Sequence, residues 1–162
     1  MKRTLTPLKD CDQTAREIRR IIERFCGDLY LCLYGRYSGT PGPARSLADM
    51  TLQDYFNYVK NIPFTTDTKP VEFVARPYYL IKKRRAADCK KKTILIGSWL
   101  KLHKVPFQLV GSSIRPDGKI HHIFPRGFIN GKWRDIDATY ADNVLFKKRD
   151  ATAEEIFYDS TK

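Results

Sequence analysis

Apolar residues recur at helical spacing in the first part of the chain. Between residues 14 and 24 they return every three or four positions, which predicts an amphipathic helix. Residues 29–34 are apolar enough to resume a helical segment, and the glycine- and proline-rich residues 35–43 predict a loop. The segment Thr51-Leu52-Gln53-Asp54 resembles a capping box, so a further helix is predicted from there to about Lys60.

The most distinctive helix is predicted to begin after Asp88 and to end near His103. Asp88 suits the N-cap position, because its carboxylate can accept hydrogen bonds from first-turn N–H groups. Apolar residues occupy nearly every side of this helix, so other elements are expected to enclose it. Cys89 lies in its first turn, near the positive end of the macrodipole, which favours a thiolate. The working hypothesis is that Cys89 is a nucleophile.

Alternating apolar positions follow this helix and predict strands over residues 106–111, 119–124 and 133–137. Asn130-Gly131 is a preferred two-residue hairpin turn between the last two strands. Residues 152–155 resemble a capping box and predict a short final helix. Helices followed by an antiparallel sheet indicate an α+β fold. Residues 1–50 are expected to form an N-terminal helical extension on a domain spanning 51–162, together one compact unit.

The hairpin turn allows the register of its two strands to be predicted. If Asn130-Gly131 forms the turn, His122 and Asp137 are diagonal neighbours on one face of the sheet. His121 points to the opposite face, because side chains alternate along a strand. The register therefore favours His122 as the partner of Asp137, although a single bulge in the strand would reverse the assignment.

A cysteine, a histidine and an aspartate together supply a nucleophilic site. The imidazole of His122 would share the thiol proton of Cys89, and Asp137 would fix its tautomer and stabilise the imidazolium. An oxyanion hole would need the Cys89 backbone N–H and a second donor. Tyr78 and Tyr79 are candidates for that donor by position, with packing as the alternative role for either.

Three segments resemble the transglutaminase-like superfamily: Asp88-Cys89, His122-Ile123-Phe124, and residues 130–139 (Asn-Gly-Lys-Trp-Arg-Asp-Ile-Asp-Ala-Thr). That family shows a Gly-Asp-Cys helix start, a histidine on a following strand and a Gly-x-Trp-x-x-x-Asp-x-Thr segment. The resemblance covers roughly residues 52–140. It implies a papain-like fold, with a central cysteine-bearing helix packed on an antiparallel sheet.

The resemblance also implies roles: Cys89 as nucleophile, His122 as base and acid, and Asp137 as the orienting residue. Trp133 is expected to pack beneath the site. The chain departs from the family pattern in two places. Ala87 stands where the family commonly has glycine, and lysines follow the cysteine where the family often has acidic residues.

The function implied by this resemblance is attack on an amide bond through a thioester intermediate. Hydrolysis, by a protease, peptidase or amidase, is favoured over protein crosslinking, and the expected substrate is a protein or peptide. Small proteins that resemble this superfamily are frequently bacterial or phage-encoded. No calcium-loop pattern is visible, so no metal and no cofactor are expected.

The net charge of +12, from 30 basic and 18 acidic residues, predicts attraction to an anionic partner. Seven basic residues flank Cys89 and are the candidates for that contact: Lys82, Lys83, Arg84, Arg85, Lys90, Lys91 and Lys92. They would recruit an acidic substrate or tune the thiol. A solvated charge run is an equally open interpretation.

Two other functions remain open from the sequence. The chain could be a structural or phage virion protein that keeps this fold without activity. It could also be a basic module that binds nucleic acid through residues 82–92 and nearby tyrosines, although nucleic acid is not favoured.

The expected location is the cytoplasm, or the host cytoplasm or virion if a phage encodes the chain. The beginning of the sequence lacks the apolar core of a signal peptide, and no run is long enough to span a bilayer. The four cysteines show neither a CxxC pair nor zinc-ligand spacing, which favours a reducing compartment.

Overall fold

The computed structural model describes residues 4–5, 11–34, 45–65, 73–83 and 86–162. The predicted loop over residues 35–43 lies outside these ranges, as do Arg84 and Arg85. Five α-helices lie within them: α1 (Cys11–Phe25), α2 (Asp28–Leu31), α3 (Leu52–Lys60), α4 (Pro77–Lys83) and α5 (Cys89–Leu102). A short 3₁₀ turn, Leu47–Asp49, precedes α3. In these ranges no helix has the length and apolar character needed to cross a membrane.

The strands form one main sheet and two short ladders. The ladders pair β1 (Thr4–Leu5) with β4 (Phe73–Val74), and β2 (Leu33–Tyr34) with β3 (Arg45–Ser46). The main sheet contains β5 (Phe107–Ser113), β6 (His122–Ile129), β7 (Lys132–Asp135) and β8 (Ala153–Asp159). Its strand order is β7-β6-β5-β8, and every neighbouring pair is antiparallel. The predicted α+β class is confirmed.

Helix α5 is the centre of the core, as its apolar sides predicted. Its residues from Lys92 to Leu100 are all buried, with α1, α3 and β6 packed around them. Gly97 permits the close approach of α1, because a Cβ at that position would overlap the Cδ1 atom of Ile22. The site therefore begins on a helix whose position is fixed from several sides.

Helix α3 is joined to α5 by a buried hydrogen bond as well as by packing. Thr51 caps α3 as predicted, since its hydroxyl accepts from the Asp54 N–H at 3.2 Å. The Tyr55 hydroxyl donates to the Leu95 carbonyl of α5 at 2.7 Å. The Trp99 indole N–H donates to the Met50 carbonyl at 3.1 Å. These contacts fix the start of α3 beside the middle and second half of α5.

The N-terminal helical prediction is confirmed for α1, which begins three residues earlier than expected. Its isoleucines are buried against α5. The prediction for residues 29–34 is right only in part, because helix α2 ends at Leu31 and strand β2 follows. A buried carboxylate, Asp28, joins α2 to α4: it accepts from the Arg76 guanidinium at 2.5 and 2.8 Å and from the Tyr78 N–H at 3.0 Å.

The predicted hairpin register is confirmed. Asn130 and Gly131 have φ angles of 52° and 77°, as a two-residue turn of this kind requires, and Ile129 pairs with Lys132. Strand β6 begins at His122, later than predicted, and continues through Pro125 to Ile129. The Pro125 carbonyl accepts from the Ile136 N–H, just beyond the end of β7. The N–H that proline lacks would point to the same side, towards β7. The hydrogen bonds between β6 and β5 are therefore unaffected.

The predicted final helix at residues 152–155 is wrong, because this segment enters strand β8. The open edge of β5 offers backbone partners to residues 153–159, and this tertiary pairing outweighs the local capping pattern. The Thr152 hydroxyl caps no helix. It contacts the carbonyls of Ser113 and Arg115 at 3.1 and 2.6 Å.

Replacing Tyr55 with phenylalanine tests the α3–α5 contact. We expect Tyr55→Phe to lower the free energy of unfolding by about 1 kcal/mol, because a buried hydrogen bond is lost without a change of shape. Urea denaturation measures the difference. Tyr30→Phe is the matched control, since that ring is exposed and its loss of a hydroxyl should be nearly neutral. An unchanged stability of Tyr55→Phe would contradict the proposed importance of this contact.

Candidate active site

Cys89 is the first residue of α5 and is partly exposed. The carboxylate of Asp88 accepts from the Lys91 N–H at 3.0 Å, so the predicted N-cap is present. The Thr93 hydroxyl lies 2.7 Å from the Cys89 carbonyl and 3.1 Å from the Ile123 carbonyl. One hydroxyl thereby connects the turn that carries Cys89 to the strand that carries His122.

His122 and Asp137 lie against each other in a buried position. His122 Nε2 is 2.7 Å from Asp137 Oδ2. The ladder between β6 and β7 ends at the pair Arg126–Asp135, and the chain then stays alongside β6 as far as Asp137. The geometry predicted from the hairpin therefore places this pair together, while His121 lies just before the start of β6 and its Nε2 accepts from the Ile114 N–H at 3.1 Å.

Asp137 is fixed by contacts within its own loop, since it follows the last strand residue. Its second carboxylate oxygen accepts from the Thr139 N–H at 3.0 Å. Its carbonyl accepts from the side-chain amide of Asn143 at 2.9 Å. These bonds leave one carboxylate oxygen directed at His122.

The protonation of His122 depends on its two neighbours. Burial disfavours the imidazolium, but the hydrogen bond with Asp137 and the nearby Cys89 side chain outweigh that effect and raise the pKa of His122 to about 9. The imidazole is thus hydrogen-bonded to the carboxylate and lies close enough to Cys89 to be influenced by it. An imidazolium held this way at neutral pH is the natural counter-charge for a thiolate.

Tyr140 also belongs to this site, although the sequence did not single it out. Its ring centroid is 5.2 Å from the ring centroid of His122. The guanidinium carbon of Arg149 lies over the Tyr140 ring, 4.3 Å from its centroid. Burial and the nearby Asp137 carboxylate raise the pKa of Tyr140. The sequence signal that could have identified Tyr140 is its position directly after the segment Asp137-Ala138-Thr139.

The lysines after Cys89 differ from the exposed cluster expected from the sequence. Lys92 is only 2% exposed, and its Nζ donates to the Lys60 and Ala138 carbonyls, both at 3.2 Å. The expectation that Lys92 contacts an anionic partner is wrong for that reason. Lys90 and Lys91 are largely covered, and their ammonium groups lie 2.8 and 3.9 Å from Asp88 Oδ2.

Among the upstream basic residues, the structure describes the side chain of Lys82. Lys82 is exposed on α4, with its ammonium 5.4 Å from the centre of the Tyr78 ring. Lys83 ends α4, and its side chain lies outside the described part of the chain together with Arg84 and Arg85. Lys82 is therefore the one member of the predicted cluster that the described residues present to solvent as expected.

The oxyanion candidates Tyr78 and Tyr79 both lie on α4, where Tyr78 is tied to Asp28 through its backbone N–H. That bond joins Tyr78 to α2 rather than to Cys89. The expectation for Trp133 is wrong: it is 37% exposed and packs on Phe128 across the hairpin, with ring centroids 5.2 Å apart. Cross-strand aromatic pairing on the outer face holds it away from the core.

A shallow open depression borders the His122–Asp137 pair. Its walls carry the polar side chains of Ser112, His121, Tyr140, Lys147, Arg149 and Glu154, but apolar atoms provide most of its exposed surface. Arg149 is held in place by the Asn143 amide oxygen at 2.7 Å. The depression gives the imidazole an approach from solvent on the side away from the core.

No group of three or more histidine, cysteine, aspartate or glutamate side chains is arranged to hold a metal ion within the described ranges. Comparison with family models finds no match, and no curated protein matches either. Among solved structures, the chain is similar to one from Cytophaga hutchinsonii named "Putative Cysteine Protease", with 12% identity and a TM-score of 0.43. The match covers 94% of this chain and 52% of that one, so this chain spans about half of that protein's length.

The raised pKa of His122 predicts a pH-dependent stability. A group whose pKa rises from 6.5 to about 9 on folding stabilises the fold fully below pH 6.5, and the contribution is lost as pH rises through 9. The stability difference between wild type and His122→Gln should therefore shrink by up to about 3 kcal/mol between pH 6 and pH 10. Urea denaturation at several pH values measures it.

The difference between the two proteins is the informative quantity, because Lys92 titrates in both. Burial, opposed by the Asp137 charge, lowers the pKa of Lys92 to about 8, so its titration overlaps that of His122. A stability difference that stays constant over this pH range would show that His122 is not held as an imidazolium.

Proposed function

We propose that this protein is a transglutaminase-like cysteine enzyme that attacks an amide bond of a protein or peptide through a thioester. Cys89 is the nucleophile, His122 the general base and acid, and Asp137 the residue that orients the imidazole. One observation carries the proposal: the buried imidazole of His122 is hydrogen-bonded to the Asp137 carboxylate at 2.7 Å, and the nearby Cys89 side chain helps to raise its pKa.

Acylation begins from an ion pair, in which His122 already carries the proton and Cys89 is the thiolate. Because Nε2 is engaged by Asp137, Nδ1 is the nitrogen that serves the thiol. The thiolate attacks the carbonyl carbon, a C–S bond forms, and the carbonyl electron pair moves to oxygen. The His122 imidazolium then protonates the leaving amine as the C–N bond breaks, which yields an acyl thioester.

Deacylation restores the free enzyme. His122 takes a proton from water, the hydroxide attacks the thioester carbonyl, and the C–S bond breaks to leave the Cys89 thiolate beside the His122 imidazolium. The acid product loses its remaining proton to solvent and departs as a carboxylate. An amine in place of water would give crosslinking instead, and we favour hydrolysis.

The start of α5 supplies the electrostatic part of the site. The first N–H groups of a helix lack intrahelical partners, and the Cys89 N–H is one of them. It lies at the positive end of the helix macrodipole, where it can donate a hydrogen bond to an oxyanion. Tyr78 and Tyr79 remain candidates for the second donor, and the phenol of Tyr140 joins them because its ring lies beside His122.

Alkylation with iodoacetamide tests the activated nucleophile. We expect Cys89 to react at least about tenfold faster at pH 7 in wild type than in His122→Ala, because removing the imidazole removes the thiolate's partner. Asp137→Asn should fall between the two. Peptide mapping by mass spectrometry gives the rate at each cysteine, and the exposed Cys11 serves as the internal reference.

His121→Ala is the matched control, because it removes a neighbouring imidazole that bonds to the Ile114 N–H rather than to Asp137, and it should leave the Cys89 rate unchanged. Equal Cys89 rates in wild type and His122→Ala would sink the proposal. That result would favour a structural protein that keeps the fold without activity. Salt-sensitive DNA binding that survives Cys89→Ala would instead support a nucleic-acid-binding module.

A further inference from the structure

Lys92 is a fully buried cation that the proposed chemistry does not use. It lies one helical turn after Cys89, on the enclosed side of α5. A buried ammonium is costly unless its protons are taken by acceptors. Lys92 has two such acceptors, which come from different parts of the fold.

The first acceptor is the carbonyl of Lys60, the last residue of α3. Carbonyls at a helix C-terminus lack intrahelical partners and carry the negative end of the macrodipole, so a cation is favoured there. The second acceptor is the carbonyl of Ala138, the residue directly after Asp137. The ammonium therefore joins the end of α3 and the Asp137 loop to the helix that carries Cys89.

We infer that Lys92 is a positioning residue, which holds the Asp137 loop in register with Cys89 by binding the Ala138 carbonyl. This inference rests on the proposed function, in which Asp137 must orient His122. The last backbone bond from this segment to β6 is made by the Ile136 N–H, so Asp137 lies just beyond the residues that the sheet holds. Lys92 supplies a link to α5 that the hairpin lacks, and one helix thereby sets both ends of the Cys89–His122–Asp137 array.

The sign of one measurement separates this role from a simple charge effect. The groups that face His122 are Asp137, Cys89, Tyr140 and, from the adjacent position, His121. Removing a positive charge near this site would by itself favour the imidazolium and raise the pKa of His122. Releasing Asp137 from His122 would lower that pKa. The two explanations for Lys92 thus predict opposite shifts.

The experiment is an NMR titration of the His122 ring in the full chain with Cys89→Ser, which removes the thiol ionisation. The chain has three histidines, so resonances can be assigned by substitution. We expect Lys92→Met to lower the pKa of His122 by about one pH unit or more, towards the value found in Asp137→Asn. Adding Lys92→Met to Asp137→Asn should produce no further fall.

Tyr55→Phe is the matched control, because it removes a different buried hydrogen bond between α3 and α5 and should leave the His122 titration unchanged. If Lys92→Met does not fold, Lys92→Gln provides the test, since its shorter amide carries no charge and falls short of the Ala138 carbonyl. A His122 pKa that rises or stays constant in the folded variant would overturn the inference. So would a fall of equal size in the Asp137→Asn background.

The titration is independent of catalysis. Failure of the proposed function would appear as equal Cys89 alkylation in wild type and His122→Ala. Failure of the positioning role would appear in the His122 titration alone. The two results therefore distinguish an inactive protein that keeps the Lys92 link from an active one that does not depend on it.

Discussion

The enclosure of α5 is the constraint on which the rest of the structure depends. Packing by α1, α3 and β6 leaves the helix no freedom to shift, so Cys89 at its first position has a fixed place in the fold. The sheet places His122 on β6, and the Thr93 hydroxyl ties that strand to the turn of Cys89. Cys89 and His122 are thus carried by a helix and a strand, whereas Asp137 lies on the loop after β7.

The enclosure of α5 also explains how the lysines of its first turn are tolerated. Positive charges at the start of a helix are unfavourable to its macrodipole. Lys90 and Lys91 lie beside the Asp88 carboxylate, and Lys92 binds the carbonyl at the end of α3. Each charge that is unfavourable for α5 alone therefore has an acceptor supplied by the tertiary structure. The three lysines that follow Cys89 thus make internal contacts, while Lys82 is exposed on α4.

Local patterns were sufficient to predict α5, its cap and the hairpin, because capping and turn residues act over a few positions. The pairing of His122 with Asp137 followed from the hairpin register by geometry alone. Three features could not be predicted this way. Strand β8 forms because β5 has an open edge, Trp133 is exposed because it pairs across the hairpin, and Lys92 is buried because α3 ends beside it. Each depends on residues distant in the sequence.

The central claim is that Cys89 forms an acyl thioester with the help of His122. Acylation by p-nitrophenyl acetate at pH 7, followed by acid quenching and peptide mapping, tests it on the four cysteines of one chain. The account predicts an acetyl group on Cys89 in wild type and its loss in His122→Ala, with little on the buried Cys32, where burial raises the thiol pKa to about 11. Acetylation that follows exposure, greatest on Cys11 and independent of His122, would contradict it.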